Sequence, residues 1–323
     1  MLIECEDDRL GMKVVDVYDD RFLMTRADPA TDRHHIVMRF SSSNFTPKVP
    51  ETARELSVSP SLRVLKDRDS CYLLKGDSIV HLDLRNSRAE GSLGTSFWES
   101  PPKSQQELLM LSLLWLMRNH GLYGLHANGL EKNGCGVLIA GSTCSGKSTA
   151  AVSLIRQGWR YLSDDVTLLR QSRDRIEAIA FQRGFSIDPG LARHYQELEE
   201  PLRTSSSNGH KRLIDLNAVY PGKHVSQCIP NVLIFPSIVS EKKSQLIPLD
   251  TVAALIELSQ NCGGIFVDRD MVAVQMEVLK RLVCQSSSYQ LLAGRDLHEE
   301  PWIISDILSE AVGHNGRDND RAY

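Results

Sequence analysis

The chain has 323 residues, 41% hydrophobic and 24% charged, close to the globular averages of about 45–50% and about 25%, which excludes a disordered or fibrous protein. At roughly 150 residues per domain the length suggests about two domains, each able to bury its own core. Lys and Arg total 37 against 41 Asp and Glu, a net charge of -4, so no global positive field favours nucleic acid or an anionic membrane.

The chain opens MLIECEDDRL, acidic rather than basic, so no secretory signal is visible and a cytoplasmic protein is expected. Seven cysteines (Cys5, Cys71, Cys135, Cys144, Cys228, Cys262, Cys284) are scattered without CxxC spacing, which fits reduced thiols better than a disulfide framework or a zinc site. The apolar run 108–117, interrupted by Ser112, is about half of the roughly 20 residues that a spanning helix needs, and reads as a core helix.

Up to about residue 100, stretches at 13–18, 35–40, 61–65, 71–74 and 78–84 are rich in Val, Ile, Leu and Tyr and are separated by turn formers, the pattern of a small β-rich domain. Pro101-Pro102 marks a break, and Ser104 followed by Glu107 predicts a capped helix over 104–119. The texture then changes to strand 136–140, helix 147–157, strands 160–162 and 166–169, and strand 231–235, which implies an α/β layer structure. Helices are expected at 251–259, 271–283 and 302–312. The polar stretch 202–212, with Thr204-Ser205-Ser206-Ser207-Asn208-Gly209, reads as a mobile loop. The domains expected are 1–100, 101–312 and a flexible tail 313–323.

Residues Gly141-Ser142-Thr143-Cys144-Ser145-Gly146-Lys147-Ser148-Thr149 satisfy G-x-x-x-x-G-K-[ST], the phosphate-binding loop. Backbone N–H groups must close around phosphate oxygens, which requires glycine at the tight positions 141 and 146. Lys147 then reaches the β- and γ-phosphates and the Ser148 hydroxyl binds Mg²⁺. Context supports the match, because Gly136-Val137-Leu138-Ile139-Ala140 is an apolar strand directly before the loop and a helix that begins at Lys147 aims its positive end at the same anion. Cys144 only fills space on this reading.

Tyr161-Leu162-Ser163-Asp164-Asp165 ends a short apolar stretch in paired carboxylates. One can hold Mg²⁺ while its neighbour faces the acceptor hydroxyl, and two like charges so close raise one pKa, which suits a general base. The alternative is a solvated acidic turn. His126 in Gly124-Leu125-His126-Ala127 is either a core histidine or a catalyst. Arg183-Gly184 and Lys211-Arg212 offer cations that could neutralise a transferring phosphoryl group, or are surface charges.

The order of these features resembles the core of HPr kinase/phosphorylase: His126, then Gly134-Cys135-Gly136-Val137-Leu138-Ile139, then the phosphate loop, then Gly158-Trp159-Arg160-Tyr161-Leu162-Ser163-Asp164-Asp165. The match is best over 121–190 and weaker to about residue 310. The resemblance implies the nucleotide-binding fold of ATP-dependent phosphoenolpyruvate carboxykinase, an α/β P-loop domain, here preceded by the β-rich segment. It implies ATP and Mg²⁺ as cofactors, with Lys147 and Ser148 holding nucleotide and metal, and His126 supporting the site. Asp164 is then the base and Asp165 the metal partner, with the reverse assignment left open. Arg183 carries over from the family's Arg-Gly segment, but Phe181 stands where its acid should be. The expected activity is transfer of the γ-phosphoryl group of ATP to a hydroxyl, on a serine of a peptide or protein. The rival readings are a small-molecule hydroxyl kinase and a nucleotide-binding module without phosphotransfer. Nucleic acid and membrane are not expected partners, and a homo-oligomer stays open.

Overall fold

The computed structural model describes residues 1–19, 35–42, 47–59, 62–182, 184–208, 210–262 and 269–309. Its contacts fall into two compact units, one within Met1–Tyr123 and one that begins at Gly124.

The first unit runs β1 (Leu2–Cys5), α1 (Asp8–Asp19), β2 (Val37–Ser41), β3 (Arg54–Ser59), β4 (Leu62–Asp67), β5 (Ser70–Lys75), β6 (Ser78–Asp83), β7 (Arg88–Ser92), α2 (Thr95–Glu99) and α3 (Pro102–Arg118). Its seven strands form one sheet in the order β1-β2-β7-β6-β5-β4-β3. β3 to β7 make an antiparallel meander, and β1 and β2 join parallel to β7. Residues 13–18, expected as a strand, lie instead in α1. Leu10, Val14, Val17 and Tyr18 are its buried positions, the i, i+4, i+7, i+8 stripe of an amphipathic helix, and burying that stripe outweighs the β preference of its valines. The Tyr18 hydroxyl donates to the Leu109 carbonyl of α3 at 3.1 Å.

α3 begins two residues before the expected start. Pro101 is its N-cap and no side chain caps it, so Ser104 does not play the capping part, and Glu107 pairs with Lys75 of β5 instead. The sequence placed a domain boundary near residue 100. Because α3 packs on α1, β5 and β6, it belongs with the first sheet and the division lies at Tyr123.

β8 (Leu122–Leu125) leads into the second unit, which continues through β9 (Ala127–Lys132), β10 (Cys135–Ala140), α4 (Lys147–Arg156), β11 (Arg160–Ser163), β12 (Thr167–Ser172), β13 (Arg175–Ala180) and β14 (Gly184–Ile187). After two 3-10 turns, Pro189–Arg193 and Gln196–Leu198, come α5 (Glu199–Thr204), β15 (Ser206–Asn208), β16 (Lys211–Asp215), α6 (Leu216–Val219), β17 (Gln227–Cys228) and β18 (Pro230–Ile238). β19 (Gln245–Leu249), α7 (Thr251–Gln260), α8 (Arg269–Gln285), β20 (Ser287–Ala293) and α9 (Arg295–Glu299) complete the labelled elements.

The architecture is mixed α/β. A six-stranded sheet has the order β11-β9-β10-β18-β20-β19. β10, β18 and β20 run parallel, while β9, β11 and β19 are antiparallel to their neighbours. Val137, Leu138, Ile139 and Ala140 of β10 are all buried, as are Val232, Leu233, Ile234 and Phe235 of β18. Such unbroken apolar runs mark strands covered on both faces. α4 lays Ala150, Ala151, Leu154 and Ile155 into the core that these strands share with Trp159, Tyr161 and Phe185. The parallel strands send their carboxyl ends to one edge, where the connecting loops gather groups able to meet a ligand.

The Ser-rich stretch 202–212 is not a structureless loop. α5 ends in it, and β15 pairs antiparallel with β16 through Ser206↔Leu213, Ser207↔Arg212 and Asn208↔Lys211. The buried Leu213 and Ile214 anchor β16, and β15 satisfies its backbone against that strand. The helix expected over 302–312 starts as a 3-10 turn, Pro301–Ile303, and continues as α-helix over 304–309. Residues 310–312 and the tail 313–323 lie outside the described residues. Among the described residues no helix is long and apolar enough to cross a membrane.

Candidate functional site

The phosphate-loop motif fills the turn from the end of β10 to the start of α4. Gly146 has φ 94° and caps the helix in the left-handed region, which glycine enters without cost. Cys144 adopts φ 66° in the same turn. A side chain at Gly141 would bring its Cβ within 3.0 Å of Ser145 Oγ and 3.4 Å of Pro236 Cδ, so Gly141 answers to close packing and Gly146 to its backbone conformation. Ser145 Oγ is buried without a hydrogen-bond partner. It is an orphaned donor inside a turn whose amides suit an anion.

Lys147 is buried, and its ammonium donates to the Gly141 carbonyl at 2.7 Å and the Ser142 carbonyl at 2.8 Å. Burial pulls its pKa below the ordinary lysine value, with nearby Asp165 opposing that pull. Lys211 also faces it closely enough to lower it further.

Asp164 ties four segments together. Ser148 of α4 donates its hydroxyl to Asp164 Oδ1 at 3.1 Å, Asn128 of β9 donates its amide to the same oxygen at 3.0 Å, and the Ser186 backbone N–H of β14 donates to Oδ2 at 2.7 Å. The Asp164 side chain has no exposed surface. Immediately before it, Ser163 Oγ accepts the backbone N–H groups of Phe181 and Gln182 at 2.6 Å and 3.1 Å. Phe181, which stands where the resembled family has an acid, is buried and offers no oxygen from its side chain.

Asp165 points elsewhere. Its φ of 62° turns the chain into the left-handed region, where Asp is one of the few side chains tolerated, and swings its carboxylate to the opening. Oδ1 lies 3.3 Å from His126 Nε2, with about a third of each side chain exposed. The two carboxylates are therefore separated by environment: one enclosed and fully hydrogen-bonded, one at the rim beside an imidazole.

A cleft of about 600 Å³ opens over the loop, lined by Thr143 to Ala150, His126, Asp165 and Lys211. Arg212, next on β16, is not part of this lining and donates to the Ser205 carbonyl at 3.1 Å. Arg183 lies outside the described residues. The structure thus brings His126, Asp165, Lys211 and the loop residues from 143 to 149 to one opening, with Asp164 directly beneath.

Sequence reasoning missed Asn128 and Ser186, which hold Asp164, and Asp188, Arg193, His194 and His298, which line the far part of the cleft. No spacing rule links them to the motif. His126 itself is the bend between β8 and β9, so strand alternation from it does not point to Asn128.

The residues present fit a magnesium nucleotide: backbone amides and Lys147 for polyphosphate, and the hard oxygens of Ser148, Asp164 and Asp165 for the ion. No protein-family model and no curated protein matches this chain. Among solved structures, the Hpr(Ser) kinase/phosphatase from Coxiella burnetii is similar at 19% identity over 58% of this chain and 95% of its own, with a TM-score of 0.33.

Proposed function

We propose that the second unit is an ATP- and Mg²⁺-dependent kinase of the P-loop arrangement seen in phosphoenolpyruvate carboxykinase, transferring a γ-phosphoryl group to a serine hydroxyl of a peptide or protein. The observation that carries this reading is the Ser148–Asp164 hydrogen bond of 3.1 Å, which joins the phosphate loop to a carboxylate pair whose second member reaches the cleft.

In this reading the amides of residues 143 to 148 and the Lys147 ammonium bind the β- and γ-phosphates, and Cys144 shapes the turn. Ser148 and Asp164 hold the metal side, which reverses the assignment that the family resemblance favours. Asp164 is enclosed and already accepts the Ser148 hydroxyl, whereas a base has to meet the acceptor, and Asp165 is the carboxylate with open surface. Ser148 and Asp164 would hold Mg²⁺, which when bound would supply charge neutralisation for the polyphosphate. Asp165 takes the proton of the acceptor hydroxyl as its oxygen bonds to the γ-phosphorus; the bond from that phosphorus to the β–γ bridging oxygen breaks, leaving ADP. His126 holds Asp165 in place and shares its charge. Lys211 faces the transferring group from β16. Catalysis of this kind is mostly positioning and charge stabilisation.

The test is transfer of label from [γ-³²P]ATP by the full chain with Mg²⁺, offered a panel of serine peptides and free hydroxy compounds. Label on a peptide, lost in Lys147→Ala, is the expected result. ATP that binds but stays intact with every acceptor overturns the kinase and leaves a binding module; label on a free compound alone makes it a small-molecule kinase.

A further inference from the structure

Away from the phosphate loop, the same cleft carries a basic cluster with no acid in it. Arg193 ends the 3-10 turn Pro189–Arg193 and donates from Nε to His194 Nε2 at 2.9 Å. Its Nη2 lies 3.1 Å from His298 Nε2 of α9. Among the described residues no carboxylate is hydrogen-bonded to any of the three. Of the ten histidines in the chain, four line this cleft, together with Lys147, Arg193, Lys211 and Arg295; its lining acids are Asp165 and Asp188. Asp188 Oδ1 accepts the Gly190 N–H at 2.7 Å as the cap of its own 3-10 turn and, among the described residues, makes no hydrogen bond to the three.

A guanidinium that donates to two imidazoles keeps its charge uncompensated, and a planar fork in that state fits a carboxylate or phosphate in bidentate fashion. His194 is held below its ordinary pKa by partial burial and by the positive charge of Arg193 and His298; an anion among them opposes the repulsion from those two. The phosphate loop has its own amides, Lys147 and Ser148 for the nucleotide, and none of the three cluster residues belongs to it. The 3-10 turn follows β14 directly, and β14 is pinned to Asp164 through Ser186. Arg193 and His194 thus stand just after the strand that hydrogen-bonds Asp164, and with His298 they line the same cleft as Asp165.

We propose that Arg193, His194 and His298 form a second anion site, which takes a carboxylate or phosphate carried by the phosphoryl acceptor. The acceptor half of this assignment rests on the kinase reading above. It makes the substrate a hydroxyl accompanied by a negative charge, and it explains how a catalyst with few groups at the hydroxyl itself orients it: the remote anion fixes the approach.

The experiment uses the full chain saturated with Mg²⁺ and the non-hydrolysable analogue AMP-PNP, titrated calorimetrically with inorganic phosphate. Phosphate is expected to bind with the nucleotide in place; Arg193→Gln should weaken it by roughly tenfold or more while AMP-PNP affinity stays within about twofold, and His298→Gln should weaken it in the same direction. Phosphate that displaces AMP-PNP, that gives no heat, or that binds Arg193→Gln as well as the parent overturns the proposal, as does an equal loss of AMP-PNP affinity, which would assign the cluster to the nucleotide. The source is separated in the transfer assay. A serine peptide with a free C-terminal carboxylate labelled in preference to its amide places the anion on a peptide, and label on a free hydroxy acid with neither peptide labelled places it on a small acid. Absence of both effects overturns the anionic acceptor. If AMP-PNP itself fails to bind, the kinase reading falls; phosphate binding that survives Lys147→Ala and is lost in Arg193→Gln then keeps the anion site without an acceptor.

Discussion

Exchanging Asp164 and Asp165 for asparagine one at a time should separate binding from transfer. Asp164→Asn leaves Ser148 facing an amide and removes charge from the metal side, so Mg²⁺-dependent nucleotide affinity should fall along with turnover. Asp165→Asn should keep Mg-ATP bound and cut transfer by roughly 10²- to 10⁴-fold, the usual worth of a general base. Nucleotide calorimetry beside the transfer assay checks both, and exchanged phenotypes would restore the assignment favoured by family resemblance. Lys147 makes a second case. Burial lowers its pKa in the folded chain below the ordinary 10.5, so between those values the unfolded chain holds one more proton and stability gains as pH rises. Urea unfolding of the parent and Lys147→Met between pH 7 and 10 should show the parent gaining on the variant as pH rises; a constant gap would mean that the ammonium is not desolvated. The motif residues were legible because the loop is contiguous. The ties on Asp164 were not, since Asn128 and Ser186 stand 36 and 22 residues away and only the folded sheet brings them to one carboxylate.

Strand β10 owes its close approach to β18 to a residue with no side chain. At Gly136 an added Cβ would stand 2.2 Å from the Ile229 carbonyl oxygen and 2.8 Å from Cys228 Sγ, and the pairing register shifts there. Gly136→Ala should lower stability by about 1–3 kcal/mol, the usual cost of overpacking against backbone, read as a lower urea midpoint; an unchanged midpoint would show that the two strands can part freely. Because β10 leads straight into the phosphate loop, nucleotide affinity should fall with it. The glycine gave no warning in the sequence, where 136 reads simply as the start of an apolar strand. α1 shows the opposite failure. Its Val14, Val15, Val17 and Tyr18 favour strand by residue type, yet Leu10, Val14, Val17 and Tyr18 already carried the helical period. In α1 the helical spacing outweighs residue preference, because spacing decides which side chains the core can bury.

Across the molecule the seven thiols report on burial. Cys144 and Cys284 are exposed, while Cys71, Cys228 and Cys262 are buried. Burial pushes Cys228 up to about 12, and burial together with Asp7 pushes Cys5 up to about 11, so neither is a ready thiolate. A disulfide-exchange reagent should label Cys144 and Cys284 first and reach the buried three only on unfolding, with Mg-ATP slowing Cys144 alone. Rapid labelling of Cys228 in the native protein would contradict the packing between β10 and β18. The alternation of strand and helix after residue 120 made the α/β class legible. The extent of the first unit was not, because nothing local tells that α3 packs back onto the sheet before it.

The phosphate loop has one further property at this scale. Lys147 grips two carbonyls of its own loop and Ser148 grips Asp164, so the lysine and the serine that would hold a nucleotide already have tethered substitutes. An incoming ligand competes with partners whose local concentration no dissolved ion matches. Inorganic phosphate alone replaces only some of those bonds, whereas a metal–polyphosphate pair replaces the lysine's and the serine's together. In the proposed kinase the loop would thereby act as a threshold device, indifferent to the free phosphate around it and responsive to an intact triphosphate that arrives with its ion.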